Sequence, residues 1–179
     1  MPRSAARSVL ETIWILVGAI LVAWVLQAYL VKPFQIPSES MEPTIDPGDR
    51  ILVNRLAYRY GEIRRGDIIV FKAPNDPDTD FVKRVIAVAG DTVEVKRGQV
   101  VVNGEPQIEN YVNPAHVDIS NFPATTIPAG NVFVMGDNRS NSQDARFWKP
   151  PWLPVESVIG KAFFTYWPPG RMGMLHQET

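Results

Sequence analysis

The chain of 179 residues carries 18 basic and 19 acidic side chains, so it has no basic excess of the kind that binds nucleic acid. Its length allows one domain, or one domain with an appendage. The absence of cysteine excludes disulfides, thiolate zinc sites and a cysteine nucleophile, and two histidines are too few for a histidine metal cluster.

The first element is a long apolar run, residues 12–31, without a charged side chain. As a helix it would cover about 30 Å, the thickness of the hydrocarbon core, so we predict a single transmembrane anchor. A cleaved secretory signal is the alternative, but the run is longer than such a core and no small-x-small site follows Tyr29. Arg3 and Arg7 predict a cytoplasmic N-terminus (residues 1–11) and a remainder on the extracytoplasmic face of the cell membrane.

Two serines follow the apolar run closely. Ser38 and Ser40 lie between Pro37 and Pro43, which fix φ and remove backbone donors. The loop should therefore be stiff and non-helical, as a well-aimed nucleophile requires. An ordinary Ser-Pro turn is the competing interpretation.

Turn-and-strand units fill most of the remaining chain. A Gly-Asp or Gly-Asn pair precedes a β-branched run each time, which is typical of antiparallel sheet. These units begin at Gly48, Gly66, Gly90 and Gly130. We predict a mainly β fold after the helix, with a catalytic core from residues 33–95 and 129–179 and a small inserted β lobe at 96–128. Residues 92–95 and 99–102 read as a hairpin.

A serine nucleophile needs a base, and the chain offers three candidates. His116 falls in the inserted lobe and His176 near the frayed C-terminus, so both are expected to be solvated surface residues. Lys83 lies in an apolar strand and shares a face with apolar neighbours. Burial would lower its pKa and make it a usable base, which an arginine cannot be. A lysine that snorkels to water is the alternative.

A dense polar segment, residues 135–148, follows a later strand. Asp137, Arg139, Asp144 and Arg146 are available there for pairing with one another. The segment is either a charge-satisfied surface turn or a buried network that supports the lysine, and spacing alone does not decide between them.

Taken together, these segments resemble the bacterial type I signal peptidases, membrane-bound Ser/Lys proteases that remove secretory leader peptides. The resemblance extends in the family's order along nearly the whole soluble part. It is carried by PSESMEPT (37–44), GDRILVNRLAY (48–58), RGDIIVFKAP (65–74) with DFVKRVIAVAGD (80–91), and MGDNRSNSQDARFW (135–148).

The resemblance implies roles for particular residues. Ser40 would be the nucleophile and Lys83 the neutral general base. The Ser40 backbone N–H and the Ser38 hydroxyl would form the oxyanion hole, and Ser142 would orient the lysine amine. The residues that would brace the site without reacting are Arg84, Asp137, Asp144 and Arg146.

The resemblance also implies the substrate and partners. A preprotein signal peptide would lie as an extended strand between residues 34–38 and 80–83, with Ala-x-Ala selectivity enforced by shallow pockets. The expected wall residues are Phe34, Ile36, Pro37, Met41, Ile45, Phe81 and Val82. The lipid bilayer would be a partner, the secretion translocon is a further candidate, and no cofactor or metal is implied.

Two other functions remain open at this point. A self-cleaving Ser/Lys protein of the SOS-repressor kind would share the dyad and the β fold, but it would be cytosolic, and the apolar run argues against it. A membrane-anchored β module that binds partners without catalysis would tolerate replacement of Ser40 and Lys83.

Overall fold

The structure, a computed structural model, describes residues 3–74 and 76–176. It opens with one long helix, α1 (Arg3–Tyr29). Within the described ranges it is the one helix long and apolar enough to cross a membrane, over Arg7–Val25 with a mean hydropathy of 2.1, and none of that stretch is buried against protein. The helix ends two residues before the predicted limit at residue 31, because Val31 already pairs as a strand.

Short antiparallel strands make up the regular structure after the helix, which confirms the predicted mainly β class. They are β1 (Val31–Gln35), β2 (Arg50–Asn54), β3 (Ile68–Ala73), β4 (Asp76–Val88), β5 (Thr92–Lys96), β6 (Gln99–Val102), β7 (Glu105–Pro106), β8 (Phe122–Thr126), β9 (Asn131–Met135), β10 (Leu153–Pro154), β11 (Val158–Trp167) and β12 (Gly173–Met174). Short 3-10 helices lie at Pro114–His116, Arg139–Asn141, Val155–Ser157 and Pro169–Arg171.

The strands form two sheets. The larger has the order β1-β2-β11-β3-β4-β9-β10, with β12 beside β11, and the smaller has the order β7-β6-β5-β8. The hairpin predicted from the sequence is β5 paired with β6, with Val93 opposite Val102. The smaller sheet begins at Thr92, ahead of the lobe boundary predicted at residue 96, because β5 pairs with β8 and leaves the larger sheet.

The larger sheet is buried on both faces at β3, near its centre. On β3, Ile69 and Phe71 belong to the hydrophobic cluster shared with the smaller sheet, whereas Ile68 and Val70 belong to a second cluster. A strand covered on both sides reads as a continuous apolar run, as β3 does. The second cluster includes Met41, so the loop that carries the two serines is anchored to the sheet by its own side chains.

Candidate active site

Ser40 and Lys83 are brought together from distant parts of the chain. Ser40 lies in the loop after β1, where its carbonyl oxygen accepts a hydrogen bond of 3.2 Å from the Asn138 backbone N–H. Lys83 lies on β4, held in register opposite Ile69 of β3. The Lys83 Nζ and the Ser40 Oγ are 2.6 Å apart. The two groups are therefore within hydrogen-bond distance.

The Lys83 amine is buried and forms no ion pair with any of the residues that the structure describes. Its residue is 4% exposed, and besides Ser40 its Nζ reaches the Val82 carbonyl oxygen at 3.1 Å. Burial lowers the pKa of Lys83 to about 8, against the opposing charges of Asp144 and Asp137. The lysine is buried rather than snorkelling, and with a pKa of about 8 roughly a tenth of it is unprotonated at pH 7.

The other two serines of the predicted site lie on either side of Ser40. The Ser38 Oγ is exposed and lies 3.4 Å from the Ser40 Oγ. The Ser142 Oγ is buried and makes no hydrogen bond within the described residues. It packs beside Gly136, where an added Cβ would come within 2.4 Å of that oxygen and 2.3 Å of the Ser40 carbonyl oxygen. Glycine at this position allows the close approach.

A groove of about 620 Å³ opens at Ser40 and Lys83. Six of the seven predicted wall residues line it: Phe34, Ile36, Pro37, Met41, Phe81 and Val82. Ile45 does not: it is fully buried in the core cluster with Met41. The prediction for Ile45 is wrong because its side chain anchors the loop from beneath, where no substrate reaches.

The groove runs between two strand edges that are open in the described sheet. β1 pairs with β2 alone, and β4 pairs with β9 only from Arg84 onward, so residues 76–83 have one free edge. Four further residues, which the sequence did not predict, also line the groove: Asp78, Thr79, Asn141 and Gln143. Asp78 and Thr79 were missed because their acidic, proline-containing segment resembles a loop, although it extends β4. Neither histidine lines the groove.

The neighbouring Arg84 is fully paired. Its Nε and Nη2 donate to the two carboxylate oxygens of Asp137 at 2.9 and 2.7 Å, and its Nη1 donates to the Gly66 carbonyl oxygen at 3.1 Å. Asp137 in turn accepts a hydrogen bond of 2.5 Å from the Thr44 hydroxyl, at the end of the serine loop. This buried pair therefore ties β4 to the loop that carries the nucleophile candidate.

The polar segment 135–148 is a buried network and not a surface turn. Asp144 accepts the Gly136 backbone N–H at 3.0 Å and the Arg146 Nε at 2.8 Å. Arg139 donates to the Gly136 carbonyl oxygen at 3.0 Å. Pairing within the segment is limited to Asp144 with Arg146, because Asp137 pairs with Arg84 and Arg139 pairs with a carboxylate outside the segment.

Comparison with known proteins first gives the class of this chain, a serine endopeptidase. A sequence model described as signal peptidase, peptidase S26, matches residues 9–167. A probable signal peptidase I-1 from Synechocystis is 41% identical, over 94% of this chain and 88% of the relative. A signal peptidase I from Mycobacterium tuberculosis is 37% identical, over 97% of this chain and 78% of the relative. The chain belongs to the signal peptidase family.

A solved structure is also similar to part of the chain. The crystal structure of a signal peptidase I from Enterococcus faecalis is 30% identical and covers 56% of this chain and 96% of its own, with a TM-score of 0.48.

Proposed function

We propose that this protein removes signal peptides from exported preproteins, using Ser40 as nucleophile and Lys83 as general base. The observation that carries the proposal is the 2.6 Å separation of the Lys83 Nζ and the Ser40 Oγ at the floor of the groove. A base must lie within hydrogen-bond reach of the proton that it abstracts, and its pKa must be close to the working pH. Lys83 satisfies both conditions.

In the proposed reaction, the Ser40 Oγ attacks the carbonyl carbon of the scissile bond while its proton moves to the Lys83 Nζ. Collapse of the tetrahedral intermediate breaks the C–N bond, and the Lys83 ammonium gives its proton to the departing amine. The signal peptide is left as an ester on Ser40. Water then gives one proton to Lys83 and attacks the ester. Collapse of the second intermediate returns that proton from Lys83 to Ser40 and frees the signal peptide as a carboxylic acid, which ionises by releasing its proton to solvent.

The negative charge on the intermediate needs donors close to Ser40. The Ser40 backbone N–H donates to no acceptor among the described residues, which leaves it available for a substrate oxygen. The exposed Ser38 hydroxyl is the second donor. Donors that meet charge only as it develops stabilise the transition state more than the bound substrate.

The substrate would lie in the groove as an extended strand, hydrogen-bonded to the open edges of β1 and β4. Ile36 and Met41 are buried, and together with Val82 they form a close apolar wall next to Ser40. Such a wall admits small side chains and excludes large ones, which supports cleavage after an Ala-x-Ala site.

Helix α1 would serve as the membrane anchor. Its apolar stretch has no protein against it, and Arg3 and Arg7 favour a cytoplasmic N-terminus, with the catalytic domain on the opposite face of the membrane. β1 follows the helix after one residue. The groove would therefore stay near the bilayer surface, where a membrane-inserted leader peptide presents its cleavage site.

The test uses the full chain in detergent with a purified preprotein that has an Ala-x-Ala site, and mass spectrometry of the products. We expect one cut, after the second alanine, and no cut when that alanine is changed to leucine. Ser40→Ala should lower the rate by roughly 10³- to 10⁶-fold, and Ser157→Ala, a control in a distant 3-10 helix, should not change it. Full processing by Ser40→Ala would refute the proposal.

A further inference from the structure

The segment that joins β7 to β8, residues 107–121, crosses from the smaller sheet to the candidate active site. We call it the linker. Its side chains contact the three arginines that hold the site, Arg84, Arg139 and Arg146. Nothing in the weak pattern of the linker sequence predicts these contacts.

Glu109 of the linker is the carboxylate partner of Arg139. The two Nη atoms of Arg139 donate to the two oxygens of Glu109 at 2.7 and 2.6 Å, and the Arg139 and Glu109 side chains are 3% and 11% exposed. The Arg139 Nε holds the Gly136 carbonyl oxygen at 3.0 Å. Gly136 packs directly on the Ser40 carbonyl and on Ser142, so two residues, Arg139 and Gly136, connect Glu109 to the nucleophile candidate.

Tyr111 of the linker stacks against Arg84. Its ring lies under the Arg84 guanidinium, with 3.9 Å from the ring centroid to the Arg84 Cζ, and its hydroxyl donates to Glu109 at 2.7 Å. Stacking on an aromatic face fixes the plane of a guanidinium and suits one that is already paired on its edge. In this orientation the Nε and Nη2 of Arg84 donate to Asp137, which accepts a hydrogen bond from the Thr44 hydroxyl.

A second anchor fixes the linker further along. Asp118 pairs with Arg146, and Ser120 accepts a hydrogen bond of 3.3 Å from the same guanidinium. Arg146 is bonded to Asp144, the carboxylate that holds the Gly136 backbone N–H. The linker is thus tied at both ends to groups that fix one glycine beside Ser40.

We propose that Glu109 and Tyr111 are positioning residues, which hold Ser40 and Lys83 in register through Arg139 and Arg84. The proposal rests on the function proposed above. A buried arginine needs a carboxylate partner. Without Glu109, Arg139 would be drawn toward Asp137, the buried carboxylate nearest along the chain, in competition with Arg84. Asp137 would then lose its fixed orientation, and the serine loop would shift relative to Lys83.

The test compares Glu109→Gln with Glu105→Gln, a matched control in the same lobe whose carboxylate is exposed on β7. kcat and KM are measured with the full chain and a preprotein. We expect Glu109→Gln to lower kcat by ~10- to 100-fold, the scale expected when reacting groups are displaced by about 1 Å. KM should stay within about twofold, because Glu109 and Tyr111 make no hydrogen bond, ion pair or ring contact, among the described residues, with the open edges that would bind the substrate, β1 and residues 76–83 of β4. Glu105→Gln should leave both constants unchanged.

A measurement in the Arg139→Gln background separates positioning from general loosening. If Glu109 acts through Arg139, Glu109→Gln lowers kcat no further there. An undiminished further loss would overturn the proposed route. Wild-type kcat in the single variant, or a loss that appears in KM alone, would overturn the positioning role itself.

Tyr111→Phe keeps the test decisive if Glu109→Gln does not fold. This change preserves the ring under Arg84 and removes only the hydroxyl bonded to Glu109. We expect a fall in kcat of about three- to tenfold in a variant that stays folded, and a wild-type kcat would contradict the proposal. An active Ser40→Ala variant would instead refute the underlying function, so the two failures are distinguishable.

Discussion

Lys83 and Arg84 are adjacent cations on opposite faces of β4, and their surroundings differ. The Lys83 Nζ is hydrogen-bonded to the Ser40 hydroxyl and to a carbonyl oxygen and lies 5.3 Å from the Phe81 ring centroid, and within the described residues no carboxylate is close enough to form an ion pair with it. Arg84, the next residue, has both carboxylate oxygens of Asp137, the Gly66 carbonyl and an aromatic ring against it. Both side chains are almost completely buried.

The difference in carboxylate pairing matches the role proposed for each cation. A carboxylate bonded to Lys83 would favour the charged amine and raise its pKa, so it would stop the lysine from accepting a proton. Leaving the amine buried and unpaired lowers the pKa from 10.5 to about 8, which corresponds to about 3 kcal/mol of lost stability at neutral pH. An arginine keeps its charge at any working pH. A carboxylate partner therefore fixes the position of the guanidinium without changing its protonation state.

The same division extends to the rest of the site. The Arg139 side chain is buried and paired with Glu109, and the Arg146 side chain is buried and paired with both Asp118 and Asp144. Each is therefore suited to hold backbone positions and unsuited to exchange protons. Lys83 is the one buried lysine among the described residues, and it lies where the groove reaches Ser40.

Lys83→Arg should have the largest effect, because it replaces the titratable cation by one that stays charged. This change keeps a cation beside Ser40 but removes its ability to accept a proton, so we expect the rate of preprotein cleavage to fall by at least ~1,000-fold. Lys96→Arg is the matched control, because Lys96 is an exposed strand lysine paired with Glu94, and its cleavage rate should be unchanged. Substantial cleavage by Lys83→Arg would contradict the base assignment.

Asp137→Asn removes the carboxylate partner of Arg84. It leaves the Arg84 guanidinium buried without its carboxylate, so we expect the free energy of unfolding to fall by about 3–5 kcal/mol, measured by urea unfolding of the full chain in detergent. Glu94→Gln breaks the exposed pair with Lys96 and should cost at most about 1 kcal/mol. Equal losses in the two variants would show that the buried pair is not what holds this side together.

Lys83→Met tests how the buried Lys83 amine affects the free energy of unfolding. Removing the unpaired amine should raise the free energy of unfolding at pH 7 by about 1–3 kcal/mol, since a buried charge is replaced by an apolar side chain of similar length. Between pH 8 and 10.5, unfolded Lys83 holds a proton that folded Lys83 has lost. The wild type should therefore gain stability relative to Lys83→Met as the pH rises through this window. Parallel pH dependences would mean that the folded amine is not perturbed.

Ser40 and Lys83 could each be identified as candidates from local sequence, although a Ser-Pro turn and a snorkelling lysine explained the same patterns. Ser40 lies in a proline-bounded loop after the apolar run, and the alternation along β4 puts Lys83 on an apolar face. The two predictions needed only that a stiff loop and a buried strand meet. The resemblance to signal peptidases then supplied the pairing that periodicity could not.

Other features depend on contacts that have no local signal. Glu109 and Tyr111 lie in a polar, proline-containing segment, and their bonds to Arg139 and Arg84 join residues far apart in sequence. Ile45 looked like a pocket wall because it follows the serine loop closely, but periodicity does not tell whether a loop residue faces the groove or the core beneath it. In the structure Ile45 packs in the core cluster and does not line the groove, whereas the equally buried Met41 does.

The most direct test of the central claim is the pH dependence of kcat/KM, which reports the ionisation of the free enzyme. The measurement uses the full chain in detergent and a preprotein without titratable side chains near its cleavage site. Because the neutral amine is the active form and the pKa of Lys83 is about 8, kcat/KM should rise about tenfold per pH unit below 8 and level off above it. A flat profile from pH 6 to 9, or an inflection near the ordinary pKa of histidine, would contradict a lysine base.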